Sequence, residues 1–123
     1  MTVLLVLVGG AVGAPLRYLT DLLVQARHDS VLPWGTLTVN VVGSLVLGVV
    51  ASAVVHAGSP AWLLTLVGTG FCGALTTFST FGFETFRLLE DGSWAEALVN
   101  VGLSLVAGML AVVAGWSLVA AVA

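Results

Sequence analysis

The sequence predicts an all-α membrane protein: one unit, residues 1–123, of four transmembrane helices with the third broken in its middle. Three observations carry this. The composition is 59% hydrophobic and 7% charged, with a mean hydropathy of +1.18, whereas soluble domains carry roughly a quarter charged residues. Four apolar stretches, about residues 2–24, 33–56, 61–90 and 94–121, are each long enough to cross a bilayer core. Short polar or turn-forming segments separate them, and Trp34, Trp62 and Trp94 stand at span starts, where amphipathic rings anchor in the interface.

The opening segment lacks the positive region of a secretory signal, so it reads as a retained first span. Within that span Gly9, Gly13, Arg17 and Asp21 recur every four residues and share a face. Small residues there let another helix approach closely. Arg17 either faces a wet vestibule, pairs with Asp21 one turn on, or snorkels to the headgroups. Gln25 to Leu32 form a polar connection, and Pro33 sits where a helix start tolerates it. The second span carries Thr36, Asn40, Ser44, Gly48 and Ser52 at intervals of four, a small and polar stripe. Asn40 is its costly member, because an amide facing lipid is strongly disfavoured. It serves either as glue between helices or as part of an aqueous path.

Ala57 to Pro60 form a short uncharged connection into the third span. Asp91-Gly92-Ser93 is a tight turn, with Ser93 placed to cap the last helix. That helix carries Asn100, Ser104 and Gly108 on one face. Four spans put both termini on one side of the membrane. The three arginines lie nearer the opposite side, which favours it as cytoplasmic, and insertion in both directions stays open.

The third span holds the unusual stretch, Gly68 to Glu84. Gly68, Gly70 and Gly73 precede Thr76, Thr77, Ser79 and Thr80, interleaved with Phe78 and Phe81. A break inside lipid leaves backbone groups needing partners, which hydroxyls, an ion or a second subunit can supply. Read as a helix beyond the break, the second half sets Phe78 beside Phe81, next to a ladder of Thr77, Thr80 and Glu84. Phenyl edges are positive, so rings turned edge-on to a passage can contact an anion while hydroxyls complete its coordination. Taken alone, the rings also read as ordinary packing. Carbonyls freed by an unwound turn are hard ligands suited to an alkali cation. One chain offers too few, so a homodimer meeting at the break is expected.

Three segments then point to a family. Gly9–Tyr18 (GGAVGAPLRY), Gly35–Ser44 (GTLTVNVVGS) and Gly70–Glu84 (GFCGALTTFSTFGFE) resemble the signature blocks of the Fluc (CrcB) fluoride channels, in order and across all four spans. The resemblance implies an antiparallel, dual-topology homodimer in the cell inner membrane that passively exports cytoplasmic fluoride through two pathways and so lowers its toxicity. It implies a structural sodium ion at the dimer centre, held by backbone carbonyls of Gly73 and Thr76. It places Asn40, Phe78, Phe81, Thr77, Thr80, Ser104 and Glu84 along the fluoride pathway and Arg17 in its vestibule. Two positions depart from the pattern. Ala74 follows Gly73 where many relatives have a second glycine, and Asn100 stands where a pore-facing tyrosine is common.

Other classes fit less well. The net charge of −3 with no basic run gives nucleic acid no footprint. No phosphate-binding loop is present. A proton-coupled exporter of the small multidrug type needs an exchangeable membrane carboxylate. Glu84 is the one acid expected at depth, and Arg87 in the same turn would keep it ionised. An enzyme is not expected. Lone Cys72 forms no intrachain disulfide, offers no metal-ligand spacing, and has neither His28 nor His56 near it in sequence.

Overall fold

The computed structural model of the chain describes residues 1–27 and 32–123. His28 and Asp29 of the predicted first connection therefore lie outside the described residues. Among the described residues every regular element is helical. Three are long single helices: α1 (Thr2–Arg27), α2 (Trp34–His56) and, last in the chain, α6 (Trp94–Val122). Between α2 and α6 the helical path is composite. It runs through α3 (Ala61–Leu63), a π-helix, π1 (Leu64–Cys72), then α4 (Gly73–Leu75), and resumes as α5 (Ser79–Glu90). Four segments, Thr2–Ala26, Trp34–His56, Ala61–Glu90 and Trp94–Val122, are long and apolar enough to cross a membrane. Most large apolar side chains point outward, as a lipid solvent requires, including residues along the whole of α1 and α6.

The ends of the helices follow from local chemistry. α1 runs past the predicted Val24 to Arg27, which lets Gln25 Oε1 accept the Gly35 N–H at 3.2 Å and satisfy an amide at the start of α2. Gly92, at φ 77°, ends α5: its N–H bonds the Leu89 carbonyl, and the Ser93 N–H bonds the Leu88 carbonyl at 2.8 Å. That pair of bonds satisfies carbonyls a helix end would leave orphaned. Ser93 occupies the capping position of α6, but its hydroxyl makes no capping bond, so the turn and not the side chain sets that start.

Glycines make the two main seams. A Cβ at Gly9 would strike the Leu66 carbonyl, and one at Gly13 the Phe71 carbonyl, so α1 lies directly on π1. Gly70 answers from the other side, with its Cβ position 2.9 Å from the Val6 carbonyl. In the second seam, Gly48 faces the Val112 carbonyl and Gly115 the Leu45 carbonyl. Ser44 faces Gly108, Gly48 faces Val112 and Ser52 bonds Trp116, so the contacts advance together along the chain and α2 and α6 run parallel. Ser52, 0% exposed, donates to the Trp116 carbonyl at 2.8 Å in this seam. The far end of the predicted polar stripe is thus helix-to-helix glue.

Lipid supplies no hydrophobic drive between helices, so close packing has to hold them. Adding one methyl at Gly115 forces the seam apart, a change that costs about 1–3 kcal/mol as overpacking. Gly115→Ala is therefore expected to lower the thermal midpoint in detergent. Gly102→Ala, at a position with nothing within 4 Å of the added Cβ, leaves the midpoint unchanged or raises it. Size-exclusion after a temperature series measures both.

Candidate functional site

The site begins with one rerouted amide. In π1 the ring of backbone bonds is wide, and the Gly73 N–H reaches back to the Gly68 carbonyl. The Thr76 N–H and hydroxyl both bond the Cys72 carbonyl, at 2.9 and 2.8 Å. Thr76 then turns extended, at φ −82° and ψ 161°. In a continuous helix the Thr77 N–H would bond the Gly73 carbonyl. Instead it donates to Asn40 Oδ1 at 2.8 Å, while Asn40 Nδ2 donates to the Thr77 carbonyl at 3.0 Å. The Thr80 N–H, which would bond the Thr76 carbonyl, goes to Thr77 Oγ1 at 3.1 Å. The carbonyls of Gly73 and Thr76 thereby lose their helical donors.

Neighbouring residues hold this arrangement. Gly43, almost one turn beyond Asn40, has no side chain, and the Thr76 methyl occupies the space a Cβ would need. Ser44 Oγ donates to the Asn40 carbonyl at 2.7 Å, tying the hydroxyl to its own helix. Thr77 Oγ1 acts as the cap of α5 although Phe78 stands at the formal helix boundary. The same oxygen donates its proton to Thr80 Oγ1 at 3.1 Å.

Beside this junction opens a groove of about 350 Å³, walled by Asn40, Gly73, Thr76, Thr77, Phe78, Phe81 and Ser104. The rings of Phe78 and Phe81 stand 5.8 Å apart, tilted by 53°. Phe78 is 81% exposed at the mouth. Thr77 is also in the wall of a second cavity, of about 200 Å³, with Arg17, Asp21, Thr36 and Thr80. Glu84 lines a third, with Gln25, Arg87 and Asp91. Its carboxylate accepts the hydroxyl proton of Thr36. The predicted residues thus divide into a groove, a flanking cavity and a mouth, linked by Thr77 and by the Thr36–Glu84 bond.

Two pairings that the sequence allowed do not form. Arg17 and Asp21 line one cavity without an ion pair among the described residues, and Asp21 Oδ1 lies where a side chain on Gly35 would stand. Glu84 turns to Thr36 on α2; no ion pair joins it to Arg87 among the described residues. For Glu84 the buried Thr36 hydroxyl on α2 offers a partner that its own helix does not. His56 is occupied away from the groove, with Nδ1 3.1 Å from Ser52 Oγ and its ring edge-on to Trp116. Sequence reasoning did not assign Thr36, Ser44 or Thr85 to the site. Membership of the α2 stripe marked the first two, and nothing local marked Thr85.

Together these features define a multi-pass membrane protein with a polar groove beside a non-helical turn inside a span. The chain belongs to the CrcB-like protein, Camphor Resistance (CrcB) family, whose profile matches residues 4–116. It is 54% identical to the "Fluoride-specific ion channel FluC 1" of Frankia casuarinae, over 99% of this chain and 98% of that one. It is 58% identical to the protein of the same description from Nocardia farcinica, over 96% of this chain and 80% of the relative. A more distant relative, "Fluoride-specific ion channel FluC" of Methanocaldococcus jannaschii, is 44% identical over 91% of this chain and 89% of its own length.

Removing the Asn40 amide leaves the Thr77 peptide unit without its interhelical partners. An unsatisfied buried donor costs about 1–3 kcal/mol, beyond the bonds themselves. Asn40→Leu is expected to lower the thermal midpoint in detergent more than Asn40→Asp, which keeps an acceptor for the Thr77 N–H. Equal midpoints for the two variants and the parent contradict this role.

Proposed function

We propose that this protein is a passive fluoride-selective channel, working as an antiparallel, dual-topology homodimer in the cell inner membrane. The observation that carries the reading is the groove itself: donor groups and ring edges gathered where Asn40 holds the Thr77 backbone. The names and full-length identity of the relatives support the choice of ion.

The chemistry runs from the residues. Asn40 has two amide protons and spends one on the Thr77 carbonyl, leaving the other for an anion. Thr80 Oγ1 accepts from Thr77, so its own proton stays free to donate. Ser104 adds a hydroxyl to the groove wall, and Phe78 and Phe81 present positive ring edges. A small, hard anion stripped of water takes short hydrogen bonds from such donors. Chloride, being larger, gains less from them and meets the rings first. Arg17 in the flanking cavity raises the local anion concentration at the approach. Thr36, in the wall of the same flanking cavity, fixes the Glu84 carboxylate beside it.

Export needs no fuel. Hydrogen fluoride crosses lipid from an acid exterior and ionises in the more alkaline cytoplasm. The negative-inside potential then drives the anion out, at about 2.3 kcal/mol per charge per 100 mV.

The freed carbonyls of Gly73 and Thr76 fit a structural sodium ion. Both are hard oxygens without their helical donors, and nothing lies within 4 Å of the Gly73 Cβ position. One chain offers two such oxygens, so a second copy is required to complete a cation's coordination. When bound, the ion supplies a fixed positive charge that cross-links the two chains. Phe78, exposed on the isolated chain, then borders the partner.

Liposomes bearing the protein are expected to release fluoride and retain chloride under a potassium diffusion potential. Release of both anions at the same rate removes the selectivity. Phe78→Ile and Phe81→Ile keep apolar bulk but lose ring polarity, and each is expected to cut fluoride flux by an order of magnitude or more with the dimer intact. Unchanged flux in both leaves the rings with packing alone. Crystals of the dimer grown with a heavier monovalent cation are expected to show anomalous density between the Gly73 and Thr76 carbonyls of both chains, and none there refutes the sodium site.

A further inference from the structure

Asn100 is 4% exposed, on a helix whose neighbours are apolar. Burying an amide there is costly unless it is bonded. Its Nδ2 donates to Thr85 Oγ1 at 2.9 Å. The single proton of that hydroxyl goes to the Phe81 carbonyl at 2.8 Å. A three-member relay therefore runs from the second turn of the membrane-crossing α6 to the backbone of a residue whose ring lines the groove. Thr85 is amphoteric in this relay: it accepts from α6 and donates along α5, so loss of either partner leaves the other unsatisfied.

The position of α5 makes the relay consequential. α5 starts just after the non-helical residues Thr76 to Phe78, so no continuous backbone ladder fixes its roll about its own axis. The Asn40–Thr77 bonds and the Thr77 cap hold its beginning from α2, and the Thr36–Glu84 bond ties its middle to the same helix. The Asn100–Thr85 bond is the polar tie that holds it from α6. Phe78 is the boundary residue of α5, next to the Asn40–Thr77 anchor and with its carbonyl accepting the Gly82 N–H at 2.8 Å, whereas Phe81 lies within α5, one turn from Thr85. A roll of α5 about the Thr77 anchor thus moves Phe81 further than Phe78.

We propose that Asn100 is a positioning residue for conduction: acting through Thr85, it sets the roll of α5 and so the placing of the Phe81 ring in the groove. This rests on the fluoride-channel reading for its functional consequence, but not for its structural content.

The test places 4-fluorophenylalanine at position 81, and separately at 78, and records the ¹⁹F resonance of the purified protein in fluoride-free buffer. Asn100→Leu and Thr85→Val are expected to shift or broaden the position-81 resonance by similar amounts, and clearly more than the position-78 resonance. The double variant is expected to shift it no further than either single, as members of one relay do. In the flux assay both singles lose fluoride rate severalfold, and neither adds to the loss of Phe81→Ile. A position-81 resonance that stays in place in both variants overturns the proposal. So does an equal displacement at 78 and 81, which is the mark of general loosening. Should the parent protein conduct no fluoride at all, the channel reading fails while the resonances still decide the role of Asn100.

Discussion

One amide side chain clasping one peptide unit is the constraint on which the rest depends. Asn40 satisfies both the N–H and the C=O of Thr77, across 37 residues of sequence. Inside a bilayer no water takes over a lost backbone bond, and each orphaned group costs several kcal/mol. A non-helical turn at that depth exists only where a partner is built in. The attraction itself is modest, since interhelical hydrogen bonds in membranes average about 0.6 kcal/mol. What fixes the geometry is the cost of the alternative, in which Thr77 would be left bare. Three consequences come from this one clasp: two carbonyls are freed, α5 starts afresh under a hydroxyl cap, and a pair of rings is turned toward an open groove.

The clasp needs a rigid setting, and glycine provides it. α2 must reach the turn closely enough for bonds of 2.8 and 3.0 Å, and Gly43 lets it do so by making room for the Thr76 methyl. The α1–π1 seam of Gly9, Gly13 and Gly70 holds the first part of the span, and the Gly48–Gly115 seam holds α2 to α6. The π-helix belongs to the same design. Its wide turn ends at Gly73, where the backbone bonding pattern changes just before the chain turns extended at Thr76. Wide turns of this kind are frequent at functional sites.

The four spans were legible because lipid imposes a length and a composition that few other folds satisfy. The special character of residues 68–84 was legible too, since glycines and hydroxyls in that density are expensive in an apolar medium. Partner choice was not. Asn40 announced itself as costly but not that Thr77 would receive it, and Glu84 went to Thr36 instead of the adjacent Arg87. Spacing along one helix tells which side chains share a face, but not which other helix that face meets. The α2 stripe shows the limit: Asn40 faces the extended turn, while Ser52, on the same stripe, is sealed against Trp116. The π-helix left no signal in the pattern either, because a slightly wider turn changes hydrogen-bond partners without changing which residues are apolar.

The central claim concerns two carbonyls, and isotope-edited infrared spectroscopy reads them directly. Carbon-13, oxygen-18 labels would be placed singly at the carbonyls of Gly73 and Thr76, with a reference label at Val49 inside α2. The account predicts that the Gly73 and Thr76 bands stand apart from the helical Val49 band, since neither carbonyl receives its backbone donor. Coincidence of all three bands would mean that the helix bonds through this region without a gap, and the freed oxygens would not exist.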